Sequence, residues 1–243
     1  MKYQVASEVF EMEPQLTIGI IIGKDLQNSE TKDNDLERLR KAEAEAREKI
    51  EPENLREWPT IRFYRETMKK AGMNPNRFPV SVEAMVKRVL KGGSLPAINA
   101  LVDLCNAVSL EQAITLGAHD LADIEEDLAV RFATGEERFL PFGETQEETV
   151  EPGELIFTSG NMVQTRKWIW RQSERGKTTL DSRQIFFQLV SDSGEAGSPL
   201  HLAMKSIETL VENRFGGSLQ SFVVDRDNPI AEFNTGPNPL ANR

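Results

Sequence analysis

"AINALVDLCNAVSLEQAITLGAHDLADI", residues 97–124, decides how the chain is read, because Asn99, Asp103 and Asn106 recur in it among apolar side chains. At about 100° per residue, positions i, i+4 and i+7 fall within roughly 60° of one another on a helix, so the three form a stripe. Ile98, Leu101, Leu104, Cys105 and Val108 fill the opposite arc, and Asp103 is the only charge between Ser94 and Ser109. A solvated face would carry Lys and Glu. This pattern predicts a helix buried on most sides, capped by Ser94, in which every polar group needs a partner. "SLEQ", Ser109–Gln112, has the form of a capping box for a second, short helix ending near Gly117. "GAHD" then sets His119 beside Asp120 just past a helix end, where a carboxylate can orient an imidazole.

Working upstream, Ser81 is expected to cap "VEAMVKRVLKGG", whose Val82, Met85, Val86, Val89 and Leu90 make a packing stripe. "WPTIRFYRETMKKAGMNP" predicts a helix stopped by Gly72 and Pro75, and "LTIGIIIG" a buried strand ending in glycine. Between these two, "SETKDNDLERLRKAEAEAREKI" predicts a highly charged, mostly solvated helix. Beyond Asp120 come short β-rich runs, "LAVRFAT", "ELIFTS", "QTRKWIWRQ", "RQIFFQLVS" and "LQSFVVD", with a late helix in "SPLHLAMKSIETLVENRFGG". The tail "NTGPNPLANR" is expected to fray. Helices, strands, helix and strand in that order predict one α+β domain over residues 1–243.

Composition narrows the function. The net charge of −10 argues against a broad, non-specific binder of nucleic acid such as DNA. Its distribution says more: Glu111–Glu154 holds thirteen acids against Arg131 and Arg138, whereas Asn161–Asp181 reverses the sign. There Arg166, Lys167, Arg171, Arg175 and Lys177 interleave with Trp168 and Trp170, a mixture that suits stacking and phosphate contact and suits equally a strand with one wet face. The single cysteine, Cys105, lies on the apolar arc and excludes an internal disulfide. His119 and His201 are the only histidines and belong to no metal-ligand spacing, so neither metal nor cofactor is expected. The opening residues lack a secretory pattern and no apolar run spans a bilayer, which places the chain in the cytoplasm with no membrane partner.

The run from Ile98 to Ile124, the glycine-punctuated strands after it and "RQSERGKTTLDSRQIFFQL" together resemble the B3/B4 domain of the bacterial phenylalanyl-tRNA synthetase β subunit. The family's PINxxVDxxN, about ten residues and HAFDLD fit this stretch without a gap. The resemblance covers roughly Leu95–Val190, and residues 58–96 look like the leader of freestanding members. It implies N-terminal helices packed on a mostly antiparallel, sandwich-like core, with a strand and helical leader over 1–91, the core over 92–225 and a tail over 226–243. It also implies binding and editing of misacylated tRNA. The Asn of the family's pocket falls on Asn106, at the end of the helix, while Asn99 and Asp103 tie that helix to neighbouring backbone. The acid of the family's GGEHSG segment falls on Glu174. The family's threonine becomes Cys105 and its histidine Gly117, with His119 two positions on. Trp168, Ile169, Gln172 and Ser173 replace glycines that make room for an aromatic amino acid, which points to a different cargo or to none.

The activity implied is hydrolysis, in trans, of the ester joining a wrong amino acid to tRNA, with Asn106 and Glu174 positioning water and His119 orienting. Trp168 and Gly117 would meet the substrate, and Arg171, Arg175 and Lys177 the phosphates of the acceptor end. A noncatalytic tRNA-binding adaptor and a binder of a small amino-acid-like ligand are the alternatives.

Overall fold

Along one strand Ile18, Ile20 and Ile22 alternate with Gly19, Ile21 and Gly23, and all six are buried. Such a strand must lie between two layers. The structure, a computed structural model, describes residues 1–235. The first half holds β1 (Lys2–Val5), α1 (Ser7–Met12), β2 (Thr17–Lys24), α2 (Asp33–Lys49), α3 (Pro59–Lys70), α4 (Ser81–Leu90), α5 (Ala100–Gln112) and β3 (Thr115–Asp120). Then follow β4 (Leu128–Phe132), β5 (Arg138–Phe139), β6 (Glu148–Thr149), β7 (Leu155–Ser159), β8 (Met162–Arg166) and β9 (Arg171–Gln172). The last elements are β10 (Ile185–Ser191), α6 (Pro199–Leu210), β11 (Ser218–Val224) and β12 (Ile230–Glu232).

The larger sheet runs β12-β1-β4-β7-β8-β5-β6 with β9 on β8, and the smaller runs β11-β2-β10-β3. All pairs are antiparallel except β1–β4 and β5–β8, so the core is the mostly antiparallel sandwich of an α+β fold. Tyr3 and Phe157 of the larger sheet pack on Phe186 of the smaller at ring distances of 5.5 and 5.6 Å. The other face of the smaller sheet, with Ile21, Phe187 and Leu189, is covered by α5 and α6. Gly19 permits that cover: a Cβ there would stand 2.5 Å from Met204 Sδ and 2.9 Å from Leu200 Cδ1 on α6.

Helix α5 departs from expectation at both ends. Asn99, not Ser94, is its cap, accepting from Val102 N at 3.1 Å. Asp103 accepts from Ile98 N at 3.0 Å and from the Thr31 hydroxyl at 2.5 Å, so these two residues do anchor the helix. Ser109 starts no second helix; α5 runs unbroken past it, and its hydroxyl donates to Ile114 O. Asn106 therefore sits inside the helix rather than at its end. The stop is Ala113, in the left-handed region at φ 51°, after which Gly117 and His119 lie on strand β3 instead of in or just past a helix. Six register pairs with the apolar β10 hold β3 in place, and tertiary pairing overrides its weak local pattern.

Three further corrections concern packing. Helix α2 is not mostly solvated: Leu39, Ala42 and Ala46 are buried, and Glu43 turns inward to accept from Leu95 N at 2.7 Å. Ser81 is the first residue of α4 and makes no side-chain cap. "QTRKWIWRQ" is not one strand but β8 and β9 separated by a turn at residues 167–170. The tail expected to fray lies, from residue 236 onward, outside the described residues.

Candidate functional site

On strands β3 and β10, Thr115 pairs with Val190, Gly117 with Gln188 and His119 with Phe186. Alternation sends all six to the face that looks at the larger sheet. β3 is an edge strand, and opposite it stand β8, β9 and the turn between them. Between the two lies a pocket of about 80 Å³.

The turn brings Trp168 into this pocket by an unusual route. Lys167 and Trp168 are consecutive residues with positive φ, 47° and 69°, a conformation that costs non-glycine residues on the order of 1–3 kcal/mol each. The surroundings hold it there. Trp168 N donates to Leu155 O at 2.7 Å, and Phe63 and Tyr64 of α3 meet the indole edge-on at 6.4 and 6.2 Å. Phe78, just before α4, packs on Trp170 at 4.8 Å, with Lys167 Nζ 4.6 Å above its ring. The N-terminal helices thus shape the pocket wall.

His119 is only 2% exposed, its ring against Phe157 at 5.2 Å. Burial pushes its pKa down to about 4, so it is neutral at pH 7. Gln172 Nε2 lies 3.4 Å from His119 Nδ1 and donates to Ala118 O at 3.1 Å, tying β9 to the edge strand. Asp120 does not orient the imidazole. It points away, accepting from Ser182 Oγ at 2.5 Å and Ala122 N at 3.0 Å, because neighbours on a strand face opposite sides. Thr115 Oγ1, Trp168 Nε1 and Gln188 Oε1 are buried with no hydrogen-bond partner among the described residues.

Of the residues singled out in the sequence, His119, Gly117 and Trp168 come together in this pocket. Asn106, half-buried on α5, does not line it. Nor does Glu174, which accepts from Gly143 N at 2.9 Å and pairs with Lys177, a hydrogen bond that holds its carboxyl below the usual range. Gln172, which stands where the resemblance puts one of the glycines that make room for the amino acid, lines the pocket, and so do Thr115 and Gln188, which were not singled out. One clue was present: a glutamine in the middle of "IFFQLVS" is a polar residue where a buried strand needs none.

The two charge blocks largely answer each other. Arg166 binds Glu154 at 2.8 Å and Glu148 at 3.0 Å, Lys167 binds Glu154 at 2.7 Å, and Arg175 binds Glu147 at 3.0 Å. With Lys177 on Glu174, Arg171 is the one of the five without a carboxylate partner among the described residues. Burial pushes the Cys105 thiol up to about 12, which removes it as a nucleophile at neutral pH. Among the described residues no group of three or more His, Cys, Asp or Glu is placed to hold a metal ion, and no helix is long and apolar enough to cross a membrane.

Compared with known proteins, residues 63–194, more than half of the chain, match the B3/4 domain family. No curated protein matches. Among solved structures the chain is similar to a crystallised N-terminal fragment of the phenylalanyl-tRNA synthetase β-subunit from Pyrococcus horikoshii, at 12% identity and a TM-score of 0.46. The similarity covers 89% of this chain and 49% of that one, so the chain spans about half the length of the fragment.

Proposed function

The chain belongs to the B3/4 domain family, and from that premise we propose that it is a cytoplasmic hydrolase of misacylated aminoacyl-tRNA. The observation that supports this most directly is the pocket between the sheets, where His119 takes up the space beside Gly117. An aminoacyl ester is activated, so a positioned water and donors for the developing oxyanion are sufficient, without a covalent nucleophile. His119 is neutral and held by Gln172; in this reading it orients the water as a hydrogen-bonding group. Asn106 and Glu174, expected from the sequence to position the water, stand outside the pocket and are given no role in this reading, while Arg171 and then Arg175 and Lys177 are assigned to the acceptor phosphates.

A noncatalytic tRNA-binding role is the second reading, favoured by the lowered pKa of His119, which makes it a weak base. Incubating the whole chain with a panel of labelled mischarged tRNAs decides between them. Release of at least one amino acid faster than in buffer, lost in His119→Phe, supports the hydrolase. Tight tRNA binding with no release from any member of the panel leaves the adaptor.

A further inference from the structure

Buried polar atoms in folded proteins are nearly always paired, yet Thr115 Oγ1, Trp168 Nε1 and Gln188 Oε1 have no partner among the described residues and line one pocket. Their residues are 3%, 0% and 5% exposed, so bulk solvent does not serve them. Trp168 also sits at a pair of left-handed residues, and backbone outliers of that kind cluster at ligand sites.

The three atoms have complementary needs. The indole N–H only donates, the amide oxygen only accepts, and the threonine hydroxyl does both. An ammonium cannot accept from the indole, and a carboxylate cannot donate to the amide oxygen. A hydroxyl satisfies both at once. Rotating the Gln188 amide exchanges its oxygen for its NH₂ and still leaves a hydroxyl with a partner. Size excludes the larger hydroxylated side chain: about 80 Å³ is half of the roughly 150 Å³ that accommodates a benzene ring. We infer that this pocket is a specificity site for a compact, hydroxyl-bearing aminoacyl group, a seryl or threonyl ester, recognised by Trp168, Gln188 and Thr115. The inference rests on the reading that aminoacyl-tRNA is the ligand. Neutral His119 beside it adds no charge that would favour an acidic or basic side chain.

The probes are 3′-aminoacylamino-3′-deoxyadenosines carrying seryl, threonyl, alanyl or tyrosyl groups, whose amide bond resists hydrolysis. Binding to the whole chain is followed by tryptophan fluorescence, since Trp168 and Trp170 both line the pocket. The seryl and threonyl probes are expected to bind about tenfold or more tighter than the alanyl probe, with the tyrosyl probe weakest. In Gln188→Met and Thr115→Val the ratio of seryl to alanyl affinity should fall to about threefold or less. Equal seryl and alanyl affinities, tightest binding of the tyrosyl probe, or binding of none would each overturn the inference. Hydrolysis of mischarged tRNA without a hydroxyl preference would remove the inference and leave the hydrolase reading standing. A clear hydroxyl preference in a chain that hydrolyses no tRNA would do the reverse.

Discussion

His119 Nε2 stands 3.0 Å from the position that a Cβ on Gly117 would occupy. Residues two apart on a strand share a face, so the imidazole of His119 leans over Gly117 and fills the space a side chain there would need.

Gly117→Ala should therefore press on the ring while sparing the rest of the fold. A change in unfolding free energy within about 1 kcal/mol, together with a loss of hydrolysis of about tenfold or more, is expected from single-turnover deacylation. The double change Gly117→His with His119→Phe should recover more activity than Gly117→His alone.

Acid should weaken the protein through His119. Its pKa is about 4 in the folded chain and about 6.5 when unfolded, so between these values the unfolded state binds the extra proton. Stability is then lost as pH falls from about 6.5 to 4, by roughly 3 kcal/mol from this group. Denaturant unfolding at several pH values should show His119→Phe losing less stability than wild type across the upper half of that window. Parallel curves would contradict the assignment.

Ala113 ends α5 in the left-handed region, where glycine carries no Cβ penalty. Ala113→Gly should raise stability by about 0.5–1 kcal/mol, after the loss of a buried methyl is offset by relief of that strain. A higher melting temperature is the check.

Asp103→Ala strands Ile98 N–H and the Thr31 hydroxyl and should cost about 1–3 kcal/mol. Catalysis by the remaining folded protein should change little, since Asp103 does not line the pocket. Calorimetry alongside specific activity separates the two effects.

Among the basic residues near the pocket, Arg171→Ala should reduce the salt slope of tRNA binding by about one unit, because Arg171 has no carboxylate partner to leave among the described residues. Arg175→Ala should do less, its charge being shared with Glu147. Titrations across a range of salt concentrations measure both.

Sequence carried the fold further than the site. β2, β7, β10 and β11 were legible in runs of β-branched and aromatic residues, α4 in its packing stripe, and α3 and α6 as helical segments. β3 was not, because in "TLGAHD" only Leu116 and the small Ala118 mark the apolar face, and the segment becomes a strand through its six pairs with β10. The end of α5 was hidden for a related reason: alanine occupies a left-handed position usually marked by glycine. The turn at Lys167 and Trp168 likewise breaks a β-rich run without glycine or proline. His119, Gly117 and Trp168 could be picked out by residue type, whereas Thr115 and Gln188 gain meaning only when pairing across two distant strands turns them toward the same space.

Strand β2 has a consequence during synthesis. Thr17–Gly23 carries no charge, and its hydrogen-bonding partners β10 and β11 both come from the last third of the chain. At about 5–20 residues per second, a ribosome leaves this segment without those partners for on the order of ten seconds or more. Uncharged, β-prone and proline-free, it is an aggregation hazard in that interval, guarded by Glu13 and Pro14 before it and by Lys24 and Asp25 after it. Its exposure to aggregation is therefore set by the time taken to synthesise β10 and β11, and not by the stability of the finished protein.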